Sequence, residues 1–280
     1  MENQGLTKED LDKIPIESSL KAFYSGCKIC ADFSQEVMIP ALKGILAPSH
    51  KEEILISIYR SIHCWMKAVA LLNYPVYFQT VATAARSIFE LALDIKLIVD
   101  DKIENGPKKF KEFSKIEKFR IIQEFAEFQR KNPDMKSSRV SPKRMEIASD
   151  KNKEKEMDTL AQLWGKPRKD IRHWSGLAIK KRAKEAGKQY EMFYYESFGL
   201  LSIYVHSGLV GIINMSDAGL KAVYGNSTSI IHDMFLTTVL MVAKEFKFDK
   251  AIPEFGEWMK KLDSVPGEVI LKEKRKYIKD

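Results

Sequence analysis

Arg168 and His173 stand five residues apart in Arg168-Lys169-Asp170-Ile171-Arg172-His173. They are the two side chains that phosphoryl transfer asks for, a cation at the developing oxyanion and a proton carrier. A second set lies on one helix: Arg86, Glu90 and Asp94 fall at i, i+4 and i+8 among Val81, Ala85, Ile88, Phe89, Leu91, Leu93 and Leu97. Charges on so apolar a helix must be paired or must line a cavity. Tyr195, Gly199, Ser202 and His206 share one face of a later helix, so a pocket between the two would hold Arg86, Glu90, Ser202 and His206 together. His206 is the proton carrier of that set, because a carboxylate opposite it, Glu90, would orient the imidazole and favour its charged form. The competing reading is a buried polar network that sets helix register and binds nothing.

Metal and redox chemistry find less support. Cys27 and Cys30 form a lone C-x-x-C, to which only His63 and Cys64 could add ligands. Zinc needs four ligands, and a redox dithiol wants a βαβ pattern that is missing here. The pair is expected to be two small core residues on one helix face. His232-Asp233 is the adjacent pair seen in helical metal-dependent phosphohydrolases, where an upstream His and a downstream Asp complete the site; His206 and Asp249 would have to serve. No metal and no cofactor is expected from either pattern.

The elements that must position these residues are helical. Hydrophobic periodicity near 3.6 runs through the chain without a convincing alternating strand. Thr7 to Asp10 resembles a capping box for a short first helix. A long helix is expected from Glu17 to Ile45, bent at Pro40. Ser49-His50-Lys51-Glu52 is a capping box opening a helix to Leu72, and Pro75 starts one through Ile98. Gly106-Pro107 begins another, from Lys108 to Arg130, closed by Asn132-Pro133. Residues 131–158 read as an exposed, charged excursion. A long helix is expected from Ala178 to Asn214, loosened at its glycines. A last major helix should start near Asn226 to Ser229 and end near Phe246, with a short helix at 253–262 and a basic tail at 264–280. The expected fold is all-α, a single helical bundle over 1–280 with long central helices.

Composition bounds the function. At 280 residues and 45% hydrophobic the chain can bury a core, which excludes wholesale disorder, and three cysteines exclude a disulfide scaffold. Met1 to Gln4 opens a polar stretch with no basic and apolar leader. Ala68–Ala85 and Ser197–Ser216 carry no charge, yet their Asn, Gln, Ser and Pro content suits buried helices better than a bilayer span. The expected location is the cytoplasm, with no membrane span. Net charge is +8 and locally concentrated: Lys166 to Lys184 holds eight basic residues against Asp170 alone. Such a run attracts RNA or another phosphate-bearing ligand by releasing counterions; the alternative is a solvated face that keeps the protein soluble.

Arg86-Ser87-Ile88-Phe89-Glu90 and Lys109-Phe110, followed by His173-Trp174-Ser175-Gly176, Arg182-Ala183, Tyr190, Tyr194 and Ser202-Ile203-Tyr204-Val205-His206-Ser207, make a pattern. It resembles a family of uncharacterised all-helical bacterial proteins, a domain of unknown function, over residues 55–215. The resemblance implies a helical bundle whose Arg, Glu and His lie close together. The R-x4-H spacing of Arg168 and His173 matches that of HEPN-type helical ribonucleases, where the Arg holds the phosphate and the His acts in the attack of a ribose 2′-OH. Two readings follow. One is a HEPN-like ribonuclease or nucleic-acid-processing protein of a defence or toxin type, using Arg86, Glu90, Arg168, His173 and His206 and compatible with a homodimer. The other is a non-catalytic helical binding module in which those residues are structural.

Overall fold

The computed structural model describes residues 16–72, 78–133, 142–206, 217–252, 255–260 and 262. Among them there is no strand, and the fold is all-α. The expected helix at Thr7 to Asp10, the start at Pro75 and the tail 264–280 lie outside the described residues. The helices divide into two compact units, Met1–Val99 with Ala186–Asp280, and Asp100–Glu185.

The first unit is built around a helix that hides nearly every side. α1 spans Ile16–Phe33, α2 Ile39–Lys43, α3 His50–Leu71 and α4 Phe78–Val99. On α4, Val81, Ala82, Ala84, Ala85, Ile88, Phe89, Ala92, Leu93, Ile95, Leu97 and Ile98 are all buried. Four alanines among them let neighbouring helices approach closely, while each buried Ile, Leu or Phe contributes about 1.5–3 kcal/mol. α3 and α11, the later Asp217–Glu245 helix, pack along α4, and α1 packs on both of them. Lys51 at the start of α3 donates to the Val99 carbonyl at 3.3 Å and pairs with Glu245 at 3.1 Å, tying the ends of three helices.

Local sequence explains the boundaries. Ser49 caps α3 in a two-way box: its hydroxyl accepts from Glu52 N–H at 3.3 Å, and its own N–H donates to the Glu52 carboxylate at 2.6 Å. Those bonds hold the Glu52 carboxyl below its ordinary range. The expected bend at Pro40 takes the form of a π turn over Ser34–Met38. Proline cannot donate an N–H, and its ring would collide with the carbonyl four residues back, so the chain widens just before it. The widened turn sends Ser34 to the Tyr59 hydroxyl at 3.0 Å and Gln35 to His63 Nε2 at 3.2 Å.

The charged excursion expected at 131–158 carries two short helices among its described residues: α6, Pro142–Ser149, and α7, Lys151–Ala161, the latter capped by Asp150, whose carboxylate accepts from Asn152 and Lys153 N–H. Two expectations need correction. The helix expected at 178–214 breaks at Gly187, whose φ of +121° few other residues tolerate. It becomes α8 (Ile179–Ala186), α9 (Lys188–Phe193), a second π turn over Tyr194–Phe198 and α10 (Gly199–His206). α11 begins nine residues before Asn226, since Gly225 and Asn226 stand on its solvent-accessible side and do not interrupt it. A four-residue α12, Phe248–Ala251, follows. The short helix near the C-terminus is present at 255–260 and 262.

In the second unit α5, Gly106–Lys131, carries α6 and α7. Ile116, Ala161, Trp164 and Ile171 make its core, with Phe113, Leu160 and Leu163 packed on it. Among the described residues one helix, His50–Leu71, is long and apolar enough to cross a membrane, and half of that window is buried inside its unit.

Two predictions arise here. Ser227 and Thr238 on α11 are fully buried, and neither hydroxyl has a hydrogen-bonding partner among the described residues. An unsatisfied buried polar group costs about 1–3 kcal/mol, so Thr238→Val should raise the melting temperature; an unchanged or lower value would mean the hydroxyl is satisfied. Burial, and then nearby Lys67, hold the His63 imidazole below its ordinary value of 6.5. The unfolded chain therefore takes up a proton near pH 6.5 while the folded one does not, and stability falls as pH drops through that value. Denaturant titrations at pH 7 and pH 5 should show this loss, and His63→Gln should reduce it.

Candidate functional site

The first candidate set is on α4. Arg86 and Glu90 are half-buried and Asp94 is buried. The Arg86 guanidinium lies 4.7 Å over the ring of Phe198, whose face also meets Tyr194 (5.6 Å, stacked) and Phe89 (5.4 Å). Phe198 closes the π turn Tyr194–Phe198, and the extra residue of that turn sets the register in which α10 meets α4. The stripe is thus built into an aromatic seam. Ser202 spends its hydroxyl on the Phe198 carbonyl of its own helix at 2.8 Å, and Tyr195 faces solvent. His206 is the last residue of α10, the helix that packs on α4, and its side chain lies outside the described set.

The second set is in the other unit, around Lys166 to Lys184. Trp164, on a short 3-10 turn, donates its indole N–H to the Trp174 carbonyl, and Lys166 Nζ donates to the Gly176 carbonyl at 2.7 Å. Gly176 has φ +70°, and a Cβ there would stand 3.1 Å from Trp164 Cδ1, so conformation and space both require glycine. This knot folds the His173–Gly176 segment back over Trp164.

Within the knot, Arg182 reaches His173. Arg182 is 4% exposed and its Nη1 lies 2.9 Å from His173 Nε2; His173 Nδ1 is 2.9 Å from Ser175 Oγ. A guanidinium can only donate, so Nε2 accepts and the ring proton sits on Nδ1, donating to Ser175. The other tautomer would gain the Ser175 N–H, 3.2 Å from Nδ1, but would set an N–H against the guanidinium and forfeit the stronger charge-assisted bond. The Phe113 and Trp174 rings flank the imidazole at 6.2 and 5.6 Å.

Arg168 is held separately. Its Nε donates to Asp158 at 2.9 Å, Nη2 to Glu154 at 3.2 Å and Nη1 to Gln123 at 2.6 Å, and its guanidinium lies 4.8 Å over the Phe119 ring. Arg168 thus joins α5 and α7, whereas His173 is bonded to Ser175 and Arg182. The R-x4-H stretch itself is a 3-10 turn, Arg168–Asp170, followed by non-helical chain. Outward from this scaffold stand Lys166, Lys169, Arg172, Lys180, Lys181 and Lys184, all exposed.

The remaining candidates have structural surroundings. Cys27 and Cys30 are both buried in α1; burial pushes the Cys30 thiol up to about 12 and Cys27 well above its ordinary value, whereas Cys64 is exposed. His232 Nε2 donates to the Leu262 carbonyl at 3.0 Å, and Asp233 lies 3.7 Å from its Nδ1. Among the described residues no three His, Cys, Asp or Glu side chains gather as metal ligands would. Arg182 is the residue that sequence reasoning passed over as a site member. The signal was its place with Ala183 and Ala186 on the inward face of α8.

A two-unit all-helical protein with six exposed cations between Lys166 and Lys184 and an Arg-Glu-Asp stripe beside an aromatic ring is the class these features define. The chain belongs to a family of unknown function, DUF5677, which matches residues 52–219, close to the span of the sequence resemblance. No curated protein and no solved structure matches the chain.

Two outcomes are expected from this geometry. His173→Ala should cost about 1.5–3 kcal/mol, the worth of a hydrogen bond to a charged group, read as a lower denaturation midpoint; a midpoint equal to wild type would show that the Arg182 contact contributes nothing. At pH 8 an alkylating reagent should modify Cys64 and spare Cys27 and Cys30 in the native protein, since the thiolate is the reactive form. Modification of all three at one rate would contradict the burial of the pair.

Proposed function

We propose that this protein is a non-catalytic, helical nucleic-acid-binding protein that grips phosphates through Lys166–Lys184. The observation that carries the reading is how the eight cations of that segment divide. Arg168 and Arg182 turn inward and are spent on Glu154, Asp158 and Gln123, and on His173. The other six are exposed around them. A core that leaves six like charges exposed offers phosphates contacts without base readout. The partially exposed His173 and its spacing from Arg168 favour a second reading, a HEPN-like ribonuclease of a defence or toxin type. That chemistry asks Nε2, already accepting from Arg182, for a lone pair. The binding reading leaves that nitrogen as it is.

The test uses the full chain with a single-stranded RNA and a single-stranded DNA of equal length. Binding should be tight at about 50 mM salt and fall steeply by about 200 mM. Changing Lys169, Arg172, Lys181 and Lys184 together to Gln should weaken binding and flatten the log–log salt slope by about three, near 0.7 per lost phosphate contact. Undetectable binding at low salt would end the nucleic-acid reading. RNA cut by the wild type and left intact by His173→Gln would replace it with the ribonuclease.

A further inference from the structure

Arg168 sits on the same 3-10 turn as the exposed Lys169, four residues before the exposed Arg172. Its side chain is 15% exposed, so it lies at the edge of the basic face and not in the core. The two carboxylates on it are open to solvent: Glu154 is 48% and Asp158 57% exposed. We propose that Arg168 is a latent phosphodiester contact, occupied in the free protein by the carboxylates of Glu154 and Asp158, which α7 supplies as an intramolecular stand-in for phosphate. The proposal rests on the nucleic-acid reading above and extends it to a residue that limits the affinity.

Three observations support the exchange. First, the anionic oxygens match. Asp158 Oδ1 on Nε and Glu154 Oε1 on Nη2 put two carboxylate oxygens on one edge of the guanidinium, at 2.9 and 3.2 Å. That is how the two non-bridging oxygens of a phosphate engage an arginine fork. Second, the fork keeps its aim without the acids. The Phe119 ring lies under it at 4.8 Å, and the neutral Gln123 accepts from Nη1 at 2.6 Å. Third, ion pairs to half-exposed carboxylates are weak and screened by solvent. A polyanion already held by Lys169 and Arg172 presents a phosphate at high effective concentration and can displace them.

Glu154→Gln with Asp158→Asn should therefore raise affinity for both RNA and DNA and steepen the salt slope by about one further contact, roughly 0.7 for a single strand. Adding Arg168→Gln should abolish that gain, whereas Arg168→Gln in the otherwise wild-type chain, where the acids compete for the fork, should cost a much smaller share of the affinity. Thermal melts confirm that each variant is folded. If Arg168→Gln does not fold, Arg168→Lys keeps the charge without the fork and should lose most of the affinity gain. An equal effect of Arg168→Gln in both backgrounds would show that only the general field has changed, and would overturn the proposal. Wild-type binding without any gain in the Gln/Asn variant would overturn it alone. If neither protein binds RNA or DNA, the nucleic-acid reading falls and this proposal with it.

Discussion

The first unit depends on α4 having almost no outside. A helix buried on most of its circumference cannot be served by one neighbour, so α3, α10 and α11 must all reach it. That is possible because Ala82, Ala84, Ala85 and Ala92 keep parts of the helix thin. The same constraint explains why the polar side chains of α4 are confined to one stripe. Arg86 can sit there because Phe198 offers an aromatic face at 4.7 Å, compensating part of the water the guanidinium gives up. Both π turns belong to this arrangement. Each adds a residue to a helix where a regular turn would misdirect Ser34 and Gln35 in one case and Phe198 in the other.

The second unit solves a different problem, holding a charged segment to its core. Ile116, Ala161, Trp164 and Ile171 cluster there, and arginines add cross-links. Arg168 ties α5 to α7, and Arg182 fastens α8 to the His173 knot. Arg168 uses the guanidinium plane, which a lysine lacks, in a forked and ring-stacked contact, and Arg182 donates to one imidazole nitrogen. The exposed positions are mostly lysine. A segment that looked uniformly basic as a string is a scaffold of two arginines carrying six exposed cations.

Much of the fold was legible because it rests on local physics. The Ser49–Glu52 box, the Asn132 end of α5 and the disturbance at Pro40 are decided within a few residues. The division into units was not legible, since it depends on which helices share a core. Asn226 and Ser229 misled because they are good caps, yet both lie inside the longer α11, which starts at Asp217. Within the charged excursion, Asp150 as a cap and Met157 and Ala161 as inward anchors account for α7.

The candidate site was legible in its residues and not in its pairings. Arg168 and His173 attract attention through a spacing of five, but the partner that His173 takes is nine residues on, across a left-handed glycine and into the next helix. Linear spacing reports contact only where the intervening chain is regular, and Gly176 at φ +70° makes it irregular. The consequence for chemistry is direct. A histidine that accepts from a buried guanidinium orients the arginine, the reverse of a catalytic dyad in which a carboxylate orients the ring. The same pair of residue types that can cleave a phosphodiester can, when the arginine donates to the ring, fasten one segment of chain to the next helix.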